Sequence, residues 1–202
     1  MESMTTTAEE KEFIRSEVKR LGAKRLLEVG AFKGETTALL CAASARQGGH
    51  VVVIDPMNWT FEAFANGLGV PPPDRLTRFL PALGPLSYER TFWRNLRAAG
   101  HEDDVTLFRS TSTSERMIER RHPLLSEFDF VFLDGDHTLE ATYSDVKHWG
   151  SRVRPGGVIL MHDVGPRFPG VVKAFRTFAR DPRYQATTPK GAGTIGKLEV
   201  VG

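Results

Sequence analysis

The stretch Arg25-Leu-Leu-Glu-Val-Gly-Ala-Phe-Lys-Gly34 decides how this chain folds. A short apolar run bounded by turn residues reads as a buried strand, and this one breaks into two glycines four residues apart. Small residues then continue as a helix through Ala45, giving a strand, a glycine turn and a helix. His50-Val-Val-Val-Ile-Asp55 is a second strand of the same kind. Further out, Val105–Phe108, Phe128–Leu133 and Val158–Met161 read as a third, fourth and fifth strand, the last entered through an Arg154-Pro-Gly-Gly157 turn. Between them apolar residues recur at helical spacing. Phe92 and Leu96 lie between a Ser87 cap and Gly100, Leu139, Tyr143, Val146 and Trp149 share one face, and Val171, Phe175 and Phe178 another. Upstream, Thr7-Ala-Glu-Glu10 has the capping-box pattern and opens a helix that stops at Gly22. Strands alternating with helices predict a doubly wound α/β architecture with a mostly parallel sheet. Tyr184–Thr188 and Thr194–Val201 pair as an antiparallel hairpin at its end.

The length of 202 residues fits one domain, 1–202, with an N-terminal helix over 1–22. Residues 59–86 are irregular and longer than most connections, which suits a lid or an acceptor-binding insertion. Its Trp59, Phe61 and Phe64 either line an acceptor pocket or pack on the sheet edge. With 40% hydrophobic and 26% charged residues and a net charge of +2, nothing favours a nucleic-acid partner. No apolar run reaches membrane-spanning length and the N-terminus lacks a signal pattern, so a cytoplasmic protein without a membrane partner is expected. Cys41 is alone, which excludes disulfides within the chain and cysteine-cluster metal sites. The composition is compatible with a homo-oligomer.

In doubly wound sheets, ligands sit beyond the carboxyl ends of the strands. Here the first strand ends in the Gly30-Ala31…Gly34 turn, where backbone amides can approach a ligand, and the second ends in Asp55. A carboxylate at that place can accept both hydroxyls of a ribose. The turn lacks the G-x-G-x-x-G spacing that seats a pyrophosphate on a helix N-terminus. That string occurs once, at Gly191-Ala-Gly-Thr-Ile-Gly196, with only six residues after it and no room for a helix and strand.

With Glu28-x-Gly30-x-x-x-Gly34, Asp55, Phe128–Asp134 and the Arg154-Pro-Gly-Gly157 turn, the chain resembles the class I S-adenosylmethionine-dependent methyltransferases from residue 22 onward. The resemblance implies a Rossmann-like sheet of seven mostly parallel strands with an antiparallel C-terminal strand. It implies that Gly30 and Ala31 lie against the methionine part of S-adenosylmethionine, with Glu28 supporting the loop. Asp55 would hold the ribose and Ser110-Thr111-Ser112 would flank the adenine, with Asp134 beside the cofactor.

Asp134-Gly-Asp-His-Thr-x-Glu140 and the later His162-Asp163 look like one branch of that class. It comprises small O-methyltransferases similar to those acting on macrolide sugars, in natural product biosynthesis, with catechol-type enzymes as more distant relatives. The resemblance implies a divalent metal held by Asp134, His162 and Asp163. Neighbouring strand ends lie about 5 Å apart, so Asp134 and Asp163 can converge on one cation. Hard oxygen ligands favour Mg²⁺, whereas an imidazole at 162, where the relatives usually carry a carboxylate, shifts preference toward Mn²⁺, Fe²⁺ or Zn²⁺. Consecutive strand residues point to opposite faces, so His162 and Asp163 can share a metal only where the strand has already turned. His137, three residues after Asp134, suits a general base. Asp136 is a cap or turn acceptor by its place ahead of a helix. The expected activity is methyl transfer to a hydroxyl of a small sugar-like or polyol-like acceptor. The competing reading is a catalytically silent binding or scaffold protein that kept the fold.

Overall fold

The computed structural model describes residues 6–59 and 86–202. Phe61, Phe64 and nearly all of the expected insertion lie outside these residues. Helix α1 (Ala8–Leu21) opens on the expected capping box: Thr7 accepts from Glu10 N, Glu10 accepts from Thr7 N, and Gly22 closes the helix in the left-handed conformation. Strand β1 (Arg25–Val29) leads to α2 (Glu35–Ser44), and β2 (His50–Ile54) to a short antiparallel pair, β3 (Asn58–Trp59) and β4 (Leu86–Ser87). Next come α3 (Glu89–Ala99), β5 (Val105–Phe108) and a one-turn α4 (Glu115–Ile118). Strand β6 (Phe128–Leu133), α5 (Leu139–His148), β7 (Val153–Met161) and α6 (Pro169–Phe178) follow, then β8 (Tyr184–Thr187) and β9 (Gly196–Val200).

The seven-stranded sheet has the order β5-β2-β1-β6-β7-β9-β8. Its first five strands run parallel, and β9 pairs antiparallel with both β7 and β8. This is the Rossmann-like methyltransferase fold expected from the sequence. The central strands are largely apolar because helices cover both faces, with Glu28 in β1 and Asp129 in β6 as buried exceptions. Leu26, Val51, Val53, Phe130, Phe132 and Leu160 pack with Ile14, Leu40, Phe92 and Leu96 on one side. On the other side, Leu27, Ile54, Val131, Leu133 and Ile159 pack with Val146, Trp149, Val171 and Phe178. Each large side chain buried this way contributes about 1.5–3 kcal/mol. Among the described residues, no helix is long and apolar enough to cross a membrane.

Three local expectations are corrected. The Arg154-Pro-Gly-Gly157 segment belongs to β7, which begins at Val153 and carries a register shift opposite Phe128–Phe130. Asp129 organises that irregularity, accepting from Arg154 Nε at 2.6 Å and from the backbone amides of Lys24 and Arg25 at 2.7 and 2.8 Å. Ser87 lies one residue outside the cap of α3, which is Tyr88. The hairpin strands are each shorter than expected, and Gly196 of the G-x-G-x-x-G string starts β9 rather than a helix.

Candidate active site

The backbone ladder continues past the strand ends and so gathers the loops there. Gly30 N donates to Ile54 O, Asp134 N to Val29 O and His162 N to Leu133 O, at 3.1, 2.9 and 3.0 Å. Gly30 has φ 82°, and a Cβ at this residue would lie 2.2 Å from the Asp134 carbonyl oxygen. Only glycine permits the β1 turn to press on the β6 loop in this way. Gly34 sits under the Phe92 ring, 2.9 Å from where its Cβ would be.

The structure brings Glu28, Ala31 and Asp55 to the same end of the sheet. Glu28 is fully buried; one oxygen accepts from the Thr37 hydroxyl and the other has no partner among the described residues. Burial, opposed by the Thr37 bond and reinforced by the charges of Asp134 and Asp55, pushes its pKa up to about 8. Asp55 spends both oxygens inside the chain. Oδ2 accepts from Ala31 N and Phe32 N at 2.8 and 3.1 Å, and Oδ1 from Met57 N and the Tyr88 hydroxyl at 2.6 Å each. Ser110, Thr111 and Ser112 lie past β5, just before α4. Ser110 Oγ lies 3.0 Å from Oγ of Ser114, which caps α4, while Ser112 O accepts from Trp149 Nε1 at 3.3 Å.

A second group of side chains stands at the ends of β6 and β7. His162 Nδ1 lies 3.0 Å from Asp134 Oδ1 and 3.3 Å from Asp163 Oδ2. Asp163 has φ 60°, a left-handed conformation just past the end of β7 at Met161. The strand has therefore turned, and His162 and Asp163 converge instead of pointing apart. One ligand atom from each of Asp134, His162 and Asp163 lies within 4.8 Å of the others. Burial opposes a charge on His162, but the Asp134 carboxylate and hydrogen bonds to Asp134, Asp163 and Glu10 outweigh it and push its pKa up to about 12. Burial likewise opposes ionisation of Asp163, yet the close approach and charges of His137 and His162 hold its carboxyl well below the usual range.

His137 comes from the loop before α5. Its Nε2 is 2.9 Å from Asp163 Oδ2 and 3.8 Å from Asp134 Oδ1, within ion-pairing distance. The nearer contact is not aligned as a hydrogen bond, so the shielded Nε2 atom has no hydrogen-bond partner among the described residues. The ring stacks on Phe168 at 4.3 Å between centroids. Gly170 of α6 abuts the His137 carbonyl, where a Cβ would come within 2.6 Å. Asp136 stands outside the cluster, accepting from Thr138 N at 2.8 Å as a turn residue, while Thr138 caps α5.

Two contributors escaped sequence reasoning. Phe168 carried no signal beyond its place ahead of a helix. Glu10 was already accounted for as a capping-box residue, yet its carboxylate also reaches His162 Nε2 at 3.3 Å.

The sequence pattern of a family described as a methyltransferase domain matches residues 27–164. The chain belongs to that family. Its fold is similar to that of cofactor-bound Rv0187 from MTB, with TM-score 0.69, 18% identity and coverage of 99% of this chain and 83% of that one. An O-methyltransferase from Bacillus cereus in complex with SAH gives TM-score 0.65 and 21% identity, over 100% of this chain and 84% of that one. TomG from Streptomyces achromogenes, an O-methyltransferase of tomaymycin synthesis in complex with SAM, gives 0.69 and 18%, over 98% and 82%.

Proposed function

We propose that this chain is an S-adenosylmethionine-dependent O-methyltransferase acting on a hydroxyl of a small, sugar-like or polyol-like acceptor. The observation that carries the reading is the convergence of Asp134, His137, His162 and Asp163 beside the glycine turn of β1. A catalytically silent relative of the fold has no need of such a cluster. The SAM- and SAH-bound neighbours support the choice of methyl donor.

The residues present fit that donor. Asp55 already accepts a hydroxyl, that of Tyr88, and so offers the chemistry a ribose requires. Gly30 and Ala31 would take the methionine part, with Ser110–Ser112 at the adenine. Tyr88 is the side-chain donor a ribose would replace on Asp55. Bound there, the sulfonium nucleoside supplies a methyl group to an oxygen nucleophile, and its sulfur leaves as a thioether.

The cluster also fits a divalent cation. Ligand atoms bonded at right angles at about 2.1 Å are about 3 Å apart, which matches the 3.0 and 3.3 Å separations around His162 Nδ1. Asp134, His162 and Asp163 would hold the ion. Its contribution would be Lewis-acid polarisation and orientation of the acceptor hydroxyl. With one imidazole among the ligands, Mn²⁺ or another borderline metal suits the set alongside Mg²⁺. His137 takes the hydroxyl proton on Nε2, the atom left without a hydrogen bond, and Asp163 beside it stabilises the imidazolium that forms. Phe168 fixes the plane of the ring.

Calorimetry tests the donor. S-adenosylhomocysteine should bind, and Asp55→Ala should weaken it by roughly ten- to a hundredfold, the loss of a charge-assisted bond of about 1.5–3 kcal/mol. Tight NAD binding with no S-adenosylhomocysteine binding would reject the reading.

A further inference from the structure

A capping box explains one hydrogen bond of Glu10, but not the rest of its surroundings. The residue is only 3% exposed, although it stands in the first turn of a surface helix. Besides Thr7 N, its carboxylate accepts from Thr194 N at 2.8 Å and Thr194 Oγ1 at 2.9 Å. Gly193 leaves room for it, since a Cβ there would lie 2.3 Å from Glu10 Oε1. Its remaining contact is with His162 Nε2, 152 residues away along the chain. Four donors thus converge on one buried carboxylate.

We infer that Glu10 is a positioning residue for the cation site: it accepts the Nε2 proton of His162 and thereby presents Nδ1 to the metal shared with Asp134 and Asp163. The inference rests on the metal reading given above. An imidazole has two nitrogens, and the hydrogen bond made by one settles which serves as ligand. Here the ionised Glu10 faces Nε2, while Nδ1 faces Asp134 Oδ1 and Asp163 Oδ2. A carboxylate behind the ring also makes the imidazole a stronger donor. Glu10 thus supplies, one group behind the imidazole, a negative charge that the neutral ring itself lacks.

The test is titration of Mn²⁺ alone into the purified full chain, followed by calorimetry. Glu10→Gln keeps the shape and, with its oxygen in the Oε1 place, still accepts from Thr194, but it loses the charge and its amide nitrogen in the Oε2 place cannot accept from Thr7 N or His162 Nε2. Its Mn²⁺ affinity should fall by about 10- to 100-fold. Thr194→Val removes a structural partner of Glu10 and leaves the contact with His162, so it should lower thermal stability with Mn²⁺ affinity unchanged. A folded Glu10→Gln protein with wild-type Mn²⁺ affinity overturns the inference while sparing the metal site. A wild-type chain that binds no Mn²⁺ overturns both. Should Glu10→Gln fail to fold, nitrogen-15 NMR of the wild-type chain loaded with Zn²⁺ decides. His162 protonated at Nε2 and metallated at Nδ1 supports the inference, and the reverse assignment overturns it.

Discussion

His137 and Asp134 are three residues apart and carry different proposed roles, so their removal should leave different traces. Asp134→Ala takes a ligand from the proposed cation, and its metal affinity should fall, with part of the rate restored by excess Mg²⁺ or Mn²⁺. His137→Ala leaves the three proposed ligands in place and removes the proposed proton acceptor. A positioned general base contributes about 10²–10⁴-fold, so kcat should drop by that order while Mn²⁺ and S-adenosylhomocysteine bind as before. Steady-state kinetics with calorimetry on both variants separates these outcomes; equal losses of metal affinity in both would remove His137 from its assigned role. The sequence draws attention to these two residues, because two acids and an imidazole directly follow a strand buried at every position. Asp163 was harder to place, since its left-handed backbone is not written in its residue type. Glu10 was hidden for the opposite reason. A local motif already explained it, and its second partner is 152 residues away.

At the level of the elements, β1 carries the central constraint. Gly30 lets the turn after β1 touch the β6 loop, and Gly30→Ala would bring a Cβ to 2.2 Å from the Asp134 carbonyl at a φ of 82°. Left-handed strain alone costs about 1–3 kcal/mol, so a clear drop in melting temperature and loss of S-adenosylhomocysteine binding are expected together. Glu28, in the same strand, gives a pH signature. Burial raises its folded pKa from 4.5 to about 8, so the folded protein keeps a proton that the unfolded chain releases. Its contribution to stability is therefore full below about pH 4.5, declines as pH rises and is lost above about pH 8. Glu28→Gln cannot release a proton, so its melting temperature relative to wild type should climb across that window. A constant difference from pH 5 to 8 would contradict the assignment. The elements themselves were largely legible: β1, β2 and β6 are covered on both faces and so read as mainly apolar runs. The start of β7 was not, because Pro155, Gly156 and Gly157 carry turn chemistry by type. Asp129, which bonds to Arg154 and to the chain entering β1, comes from another strand.

For the molecule as a whole, the strand order places β1 between β2 and β6, with β7 next to β6. The donor expected at the ends of β1 and β2 and the acceptor chemistry at the ends of β6 and β7 therefore meet along one edge. Topology thus joins Asp55 to His137 through Gly30 and Asp134, residues whose types alone are compatible with unrelated turns and caps. The same arrangement makes methyl transfer, rather than binding alone, the central claim. Its most direct measurement is mass spectrometry of a panel of hydroxylated small molecules, sugars and polyols among them, incubated with the chain and S-adenosylmethionine, with and without added Mg²⁺ or Mn²⁺. The account predicts an acceptor heavier by one methyl group on oxygen, formed in step with S-adenosylhomocysteine, abolished by chelation and restored by the metal. Methyl transfer that persists undiminished in a thoroughly chelated sample, or in the His137→Ala variant, would contradict it.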